Sequence, residues 1–354
     1  MAGTRQITVG DVALGGGAPV VVQSMLSVDT CDLNAAMSQI TALADAGCEL
    51  VRIAIPHASA LDAFAELCRF SPVPVIADIH FDYRLALAAA ERGAAKLRIN
   101  PGNLGGIDRF DAVLDAAGER DVALRIGVNA GSLDATVAAR RDLDLPGKLV
   151  ESALSYQRHA VSRGFDRLVL SVKASSVPVT VAAYRALAAQ SDFPLHVGVT
   201  EAGTELRGTV KSAVGLGALL LDGIGDTLRV SLTADPVAEV GVAWRILEAC
   251  DLRRREPELI SCPTCGRCEV DMIPIADEVQ RRLTELAARE PAAAALKVAV
   301  MGCVVNGPGE AREADYGIAC GRDVGMLFAH GKPVRKVPAR DLVPALFDLM
   351  AEIA

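Results

Sequence analysis

Cys262 and Cys265 stand in Ser-Cys-Pro-Thr-Cys-Gly-Arg, and Cys303 stands further on in Met-Gly-Cys-Val-Val-Asn-Gly-Pro-Gly-Glu. A C-x2-C pair joined by a distant third thiol is a pattern that holds a metal or an iron–sulfur cluster. The candidate fourth ligand is Glu310, a carboxylate that the Asn306-Gly307-Pro308-Gly309 turn can bend back toward Cys303. A weak oxygen ligand can leave, opening one metal position, so the pattern suits a centre that performs chemistry as well as carrying electrons. Two other readings of the same cysteines stay open. Cys268 extends the pair to a ferredoxin-like C-x2-C-x2-C run, but no further Cys follows shortly after it. Cys262, Cys265, Cys303 and Cys320 together would make a zinc ribbon, although the second two lack paired spacing.

A second set of chemistry-bearing residues lies upstream, in short apolar segments. Asp78 and His80 share strand parity, as do Arg98 and Asn100, Arg125 and Asn129, Ser171 and Lys173, and Arg229 and Ser231. Arg52 lies within Val-Arg-Ile-Ala-Ile, and Glu201 ends Val-Gly-Val-Thr-Glu. Side chains two apart on a strand point the same way, and a buried charge is costly unless it is paired or faces a wet site. Arg52, Arg98, Arg125, Lys173 and Arg229 outnumber Asp78 and Glu201, which points to a strongly anionic ligand such as a diphosphate. His80, following Asp78 at a strand end, is a candidate proton donor. His57, His159, His196 and His330 lack such a pattern and read as surface or core residues.

Those segments imply the elements that must position them. Strands are expected over residues 20–25, 50–55, 73–80, 95–100, 122–129, 167–174, 195–201 and 226–232, each followed by an Ala- and Leu-rich amphipathic helix. Eight such units make a (β/α)8 TIM barrel, with its active site at the C-terminal strand ends. An open doubly wound sheet is disfavoured, because no Gly-x-Gly-x-x-Gly follows the first strand. Residues 6–9 and 12–14 read as a hairpin placed to cover the barrel's bottom. The expected organisation is a barrel over 1–250, a charged, proline-containing linker over 251–260, and a smaller α+β unit over 261–354 that carries the cysteine motif.

Composition narrows the class. The chain has 354 residues, 51% of them apolar and 23% charged, with a net charge of −8. An acidic balance argues against a nucleic-acid partner. Nine cysteines, an odd number in a long chain, do not form a secreted disulfide framework. No apolar leader or span-length run is seen, so the expectation is a cytoplasmic protein with reduced thiols and no membrane association. Cys31, Cys48, Cys68 and Cys250 lack ligand spacing and read as packing residues.

Long motifs in order give the chain a family likeness. Val-Gln-Ser-Met at 22–25, Ala-Asp-Ile-His-Phe-Asp-Tyr-Arg at 77–84 and Leu-Arg-Ile-Asn-Pro-Gly-Asn at 97–103 are followed by Arg-Ile-Gly-Val-Asn-Ala-Gly-Ser at 125–132. Ser-Val-Lys-Ala-Ser at 171–175, Thr-Glu-Ala-Gly at 200–203, Gly-Asp-Thr-Leu-Arg-Val-Ser-Leu at 225–232 and the two cysteine motifs complete the set. Nearly end to end, the chain resembles the 4-hydroxy-3-methylbut-2-enyl diphosphate synthase family of the methylerythritol phosphate route to isoprenoids, in its two-domain bacterial form.

The resemblance implies a barrel joined to a [4Fe–4S] domain similar to those of sulfite and nitrite reductases, with Cys262, Cys265, Cys303 and Glu310 as ligands. It implies an oxidoreductase that uses two electrons, from flavodoxin or ferredoxin, to open 2-C-methyl-D-erythritol 2,4-cyclodiphosphate and expel its hydroxyl. Arg52, Asp78, Arg98, Asn100, Arg125, Asn129, Ser132, Lys173, Arg229, Ser231 and Asn306 are then expected to bind substrate, and Glu201 or His80 to supply the proton. A homodimer is implied, one chain's cluster domain capping its partner's barrel. Competing classes are a colourless zinc-stabilised barrel enzyme, such as an aldolase, and a zinc-ribbon binding module, for which the composition supplies no basic face.

Overall fold

The structure is a computed structural model and describes residues 3–303, 309 and 313–353. The chain divides into two compact units, Met1–Arg253 and Arg254–Ala354.

The first unit opens with an antiparallel hairpin, β1 (Ile7–Val9) and β2 (Val12–Leu14). Eight parallel strands follow: β3 (Val21–Met25), β4 (Leu50–Ala54), β5 (Val75–Asp78), β6 (Lys96–Ile99), β7 (Ala123–Asn129), β8 (Leu168–Lys173), β9 (His196–Val197) and β10 (Thr227–Leu228). They are ordered β8-β7-β6-β5-β4-β3-β10-β9. A single bridge between Leu170 and Leu195, with the Leu170 N–H donating to Pro194 O at 2.9 Å, brings β8 against the segment that enters β9. The result is a nearly closed TIM-barrel sheet. Both sheet faces are buried, which is why the strands are runs of Val, Ile, Leu and Ala. Five of the helices start at an Asp whose side chain accepts a first-turn N–H: Asp32, Asp82, Asp134, Asp144 and Asp235.

Strand register sorts the barrel interior into levels. Val21, Leu50, Ile76, Ala123 and Val169 form an apolar floor with Ile7, Val9 and Leu14 of the hairpin. Two residues further along the same strands stand Gln23, Arg52, Asp78, Arg125 and Ser171. One step of the pleat therefore separates this floor, to whose level register also brings the buried Lys96, His196 and Thr227, from a polar chamber.

β9 and β10 are shorter than the sequence pattern predicts. The Leu232 N–H is taken by the Glu239 carboxylate at 2.9 Å rather than by a ladder, and Glu201 adopts φ +52°, which turns the chain out of extended conformation.

In the second unit β11 (Glu258–Ser261), β12 (Lys297–Met301) and β13 (Tyr316–Ala319) run parallel, and β14 (Val324–Ala329) and β15 (Lys332–Pro338) continue the sheet antiparallel. Helices Met272–Arg289 and Leu342–Ile353 cover it, through a core that includes Val279, Leu283, Val300, Ile318, Leu327 and Leu346. β11 begins at Glu258, so sheet pairing reaches into the stretch expected to be linker. Among the described residues no helix is long and apolar enough to cross a membrane.

Candidate active site

Above the barrel's apolar floor lies a cavity of about 270 Å³, lined by Met25, Arg52, Asp78, His80, Arg98, Arg125, Gly127, Asn129, Ser171, Lys173, Thr200, Arg229 and Ser231. The lining holds five cationic side chains, Arg52, Arg98, Arg125, Lys173 and Arg229, and one carboxylate, Asp78. Alternation on the strands puts them there: Asp78 arrives from β5 and His80 from just past its end, Arg98 from β6, Arg125 and Asn129 from β7, and Ser171 and Lys173 from β8.

Asp78 is the negative pivot. Its Oδ1 accepts from Arg98 Nη1 at 3.1 Å, its Oδ2 lies 3.9 Å from Arg52 Nε, and His80 Nε2 stands 3.3 Å from the same oxygen. Burial alone would raise its pKa, but Arg52, the His80 hydrogen bond and Arg98 together hold the carboxyl well below the carboxylate range. Arg52 is lowered to about 10 by burial, with Asp78 opposing the shift. Arg52 also packs against Met25, its Nη2 2.8 Å from Sδ.

Arg229 is held from outside the lining. Glu239, 3% exposed on helix Pro236–Ala249, accepts from Arg229 Nη2 at 3.1 Å and from Ser24 Oγ at 3.3 Å. Lys173 Nζ lies 3.0 Å from His196 Nε2. The backbone yields space for the long side chains: a Cβ on Gly198 would stand 2.6 Å from Lys173 Nζ, and one on Gly127 would stand 2.9 Å from Arg98 Nε.

Other expected residues fall elsewhere. Asn100 donates from Nδ2 to Ser132 O and Oγ, both at 2.9 Å, tying the end of β6 to the turn after β7 outside the cavity lining. Glu201 is exposed and Thr200 lines the cavity in its place. Asn306 and Glu310 lie outside the described residues. His196 reads from sequence as having no partner pattern, yet it bonds Lys173, and His159 meets Asp111 at 2.6 Å. Cys31, expected to pack, is exposed. Sequence reasoning also passed over Glu239, Gln23 and Lys96. The signal for Lys96 was present, since it shares parity with Arg98 and Asn100 at the start of β6.

The cysteines gather by topology. Cys262 directly follows β11, Cys303 lies two residues past β12, and Cys320 directly follows β13, so parallel pairing delivers all three to one end of the sheet. The Cys262 N–H donates to Val300 O at 3.0 Å and the Cys320 N–H to Met301 O at 2.6 Å. Burial first, then Cys268 and Cys262, push the Cys320 thiol up to about 12. Cys265 is exposed, Cys262 half-buried and Cys303 buried. Among the described residues no three His, Cys, Asp or Glu side chains are drawn together as a metal-holding group. The donor chemistry nonetheless fits an iron–sulfur group, because the thiols of Cys262, Cys303 and Cys320 come to one end of the sheet.

Known proteins agree with this division. Residues 4–244 match the GcpE TIM-barrel domain, and residues 258–352 match the GcpE protein C-terminal domain. The chain is 56% identical, over 97% of its length and 96% of the relative's, to 4-hydroxy-3-methylbut-2-en-1-yl diphosphate synthase (flavodoxin) of Geobacter sulfurreducens. It is 53% identical to the enzyme of that name from Maridesulfovibrio salexigens, over 99% of this chain and 96% of that one. The solved dihydropteroate synthase of Xanthomonas albilineans shares the fold alone, with a TM-score of 0.52 at 16% identity over 70% of this chain and 98% of that one. The same holds for the enzyme of Stenotrophomonas maltophilia, with a TM-score of 0.51 at 18% identity over 70% of this chain and 99% of that one. With both family matches in order and full-length relatives above half identity, the chain belongs to the GcpE family.

Proposed function

We propose that the chain catalyses the reaction for which its relatives are named, the formation of 4-hydroxy-3-methylbut-2-en-1-yl diphosphate, from 2-C-methyl-D-erythritol 2,4-cyclodiphosphate. It is a flavodoxin-dependent oxidoreductase of the methylerythritol phosphate pathway, with ferredoxin as the alternative donor. One observation carries the reading at the level of geometry: a chamber with five cations and one carboxylate, closed below by an apolar floor, suits a small, doubly phosphorylated ring.

Arg52, Arg98, Arg125, Lys173, Arg229 and Ser231 hold the diphosphate, and Asn129 supplies a neutral hydrogen-bonding group beside them. Asp78 fixes the two arginines it bridges and so lends the site rigidity as well as charge balance. Asn100 and Ser132 brace the rim through their mutual hydrogen bonds. His80 delivers a proton to the departing hydroxyl, a role supported by its 53% exposed side chain beside Asp78. Glu201 is the other candidate donor, and Asn306 orients the substrate.

Cys262, Cys265, Cys303 and Glu310 would hold a [4Fe–4S] cluster, which supplies electrons singly. The α+β unit is akin, on this reading, to the cluster domains of sulfite and nitrite reductases. The barrel over 1–250 binds substrate, the residues after it form the joint, and the unit over 261–354 carries the redox group. The protein works in the cytoplasm as a homodimer, one chain's second unit capping its partner's barrel. An active monomer on size-exclusion chromatography would contradict that arrangement.

Anaerobic purification with iron, sulfide and zinc analysis, followed by an assay with the cyclic diphosphate and reduced flavodoxin, tests the whole reading. The expected result is a coloured iron–sulfide protein that releases the linear diphosphate. A colourless zinc protein without turnover would sink it.

A further inference from the structure

The cations of the chamber differ in their company. Arg52 and Arg98 share Asp78, and Arg229 lies against Glu239. Lys173 has a different anchor: among the described residues its Nζ has one hydrogen-bond partner, His196 Nε2 at 3.0 Å. His196 is fully buried on β9, and its Nδ1 has no partner among the described residues.

Its setting is built. The Tyr184 hydroxyl donates to the His196 carbonyl at 2.6 Å and accepts from the Val172 N–H at 3.2 Å. Where β8 and β9 share one bridge, this phenol stands in for the missing ladder. It therefore fixes Lys173 and His196, which flank the seam, relative to one another. Gly198, the next inward position after His196, leaves room for the lysine's end.

The charged groups that act most on the imidazole are cations. Burial first, and then Lys173, Arg125, Lys96 and Arg52, push His196 well below its ordinary pKa. Burial and neighbouring arginines also lower Lys173. Of the two groups the amine is intrinsically the more basic, by about 4 pH units, so a proton bound by the pair resides on Lys173. His196 is then the neutral acceptor.

We propose that His196 is a positioning residue for the reaction: its neutral imidazole aims the Lys173 ammonium into the chamber without cancelling the charge that the diphosphate needs. The proposal rests on the reading of Lys173 as a substrate-binding group. An acid in this place would anchor the lysine but neutralise it, and an apolar side chain would leave it unheld.

A double-mutant cycle tests this, with folding of each variant checked by circular dichroism and thermal unfolding. His196→Leu is expected to raise KM for the cyclic diphosphate by about ten- to a hundred-fold, the range that a hydrogen bond to a charged group supports, with kcat nearly unchanged. His196→Gln, whose amide oxygen can replace Nε2 as acceptor, is expected to recover most of the loss. In a Lys173→Ala background, His196→Leu should add almost nothing. Equal losses in both backgrounds, or equal losses for Leu and Gln, would overturn the proposal. If Lys173→Ala loses affinity while both His196 variants keep it, the proposal alone fails. If Lys173→Ala leaves KM unchanged, the reading of Lys173 fails as well. Nitrogen NMR of the histidine-labelled wild-type protein gives a check that needs no variant. Nε2 should be unprotonated and Nδ1 protonated from pH 6 to 9, and an imidazolium or an Nε2–H signal would overturn the assignment.

Discussion

The barrel and the second unit present their chemistry in different ways. In the barrel, the groups that matter sit on regular strands, where register sets their height and parity sets their direction. In the second unit the cysteines sit in the residues just past the strands, where parallel pairing sets only which end of the sheet they reach. The first arrangement yields a chamber in which Asp78 and Glu239 pair with Arg52, Arg98 and Arg229, while Arg125 Nε and Nη1 have no partner among the described residues. The second leaves its donors to be organised by what they hold, as thiol sites commonly are when metal binding contributes to folding.

The largest expected effect tests the second half of that comparison. Cys303→Ala should abolish iron–sulfur absorbance and lower turnover by more than the roughly 10–100-fold that altering a ligand's supporting partner costs. The isolated barrel chemistry should be unaffected, so binding of the cyclic diphosphate, measured by calorimetry, is expected to survive. Retention of iron and sulfide in this variant would remove Cys303 from the ligand set.

Asp78→Asn tests the first half. It keeps the shape but strips the charge from between two arginines, and it should cost about 3–5 kcal/mol in urea unfolding, as breaking a buried pair does. The pH dependence has a defined sign. The folded-state pKa of Asp78 lies below its ordinary value of 3.8, so its contribution is complete above that value and is lost as pH falls toward the folded pKa. Wild type should therefore lose stability in acid more steeply than Asp78→Asn, and parallel acid limbs would show that Asp78 is not the pivot.

Lys96→Met should stabilise the protein by about 1–4 kcal/mol, because Lys96 is fully buried and its Nζ has no partner among the described residues. Burial, followed by Arg125 and Arg52, lowers its folded pKa, so the unfolded chain binds the extra proton and the penalty fades as pH rises toward the ordinary lysine value. The gain in melting temperature should therefore shrink between pH 7 and 10. A destabilised Met variant would mean that the ammonium is held by something worth more than its burial costs.

Cys268→Ser is the smallest effect. Its Sγ donates to Val270 O at 3.2 Å, a bond that a hydroxyl can keep, and iron content should remain at wild-type level. Loss of iron would make Cys268 the local third thiolate in place of Cys303.

How far the sequence could be read follows the same divide. Arg52, Asp78, Arg98, Arg125 and Lys173 were legible because a two-residue period in an apolar strand leaves few places for a charge to point. Glu239 was not, because one acid in the first turn of a helix reads as a favourable surface charge until the strand beside it is known. His196 looked like core for a related reason: its partner is 23 residues away, across a strand seam that no local pattern announces. Cys320 lay outside the expected ligand set, and its place beside Cys262 and Cys303 depends on strand order alone.

The hairpin under the barrel has a consequence for how the chain is made. Thr4 Oγ1 donates to Asp226, 222 residues later, and Arg5 pairs with Asp192, 187 residues later. Ile7, Val9 and Leu14 likewise pack on residues spread from Val21 to Val169, so their seats exist only once several strands have come together. Contacts this distant in sequence slow folding and leave apolar surface open to wrong partners in the interval. Sealing the floor thus joins the hairpin's flank to segments at the barrel's last two strands, so it waits until most of the barrel is in place.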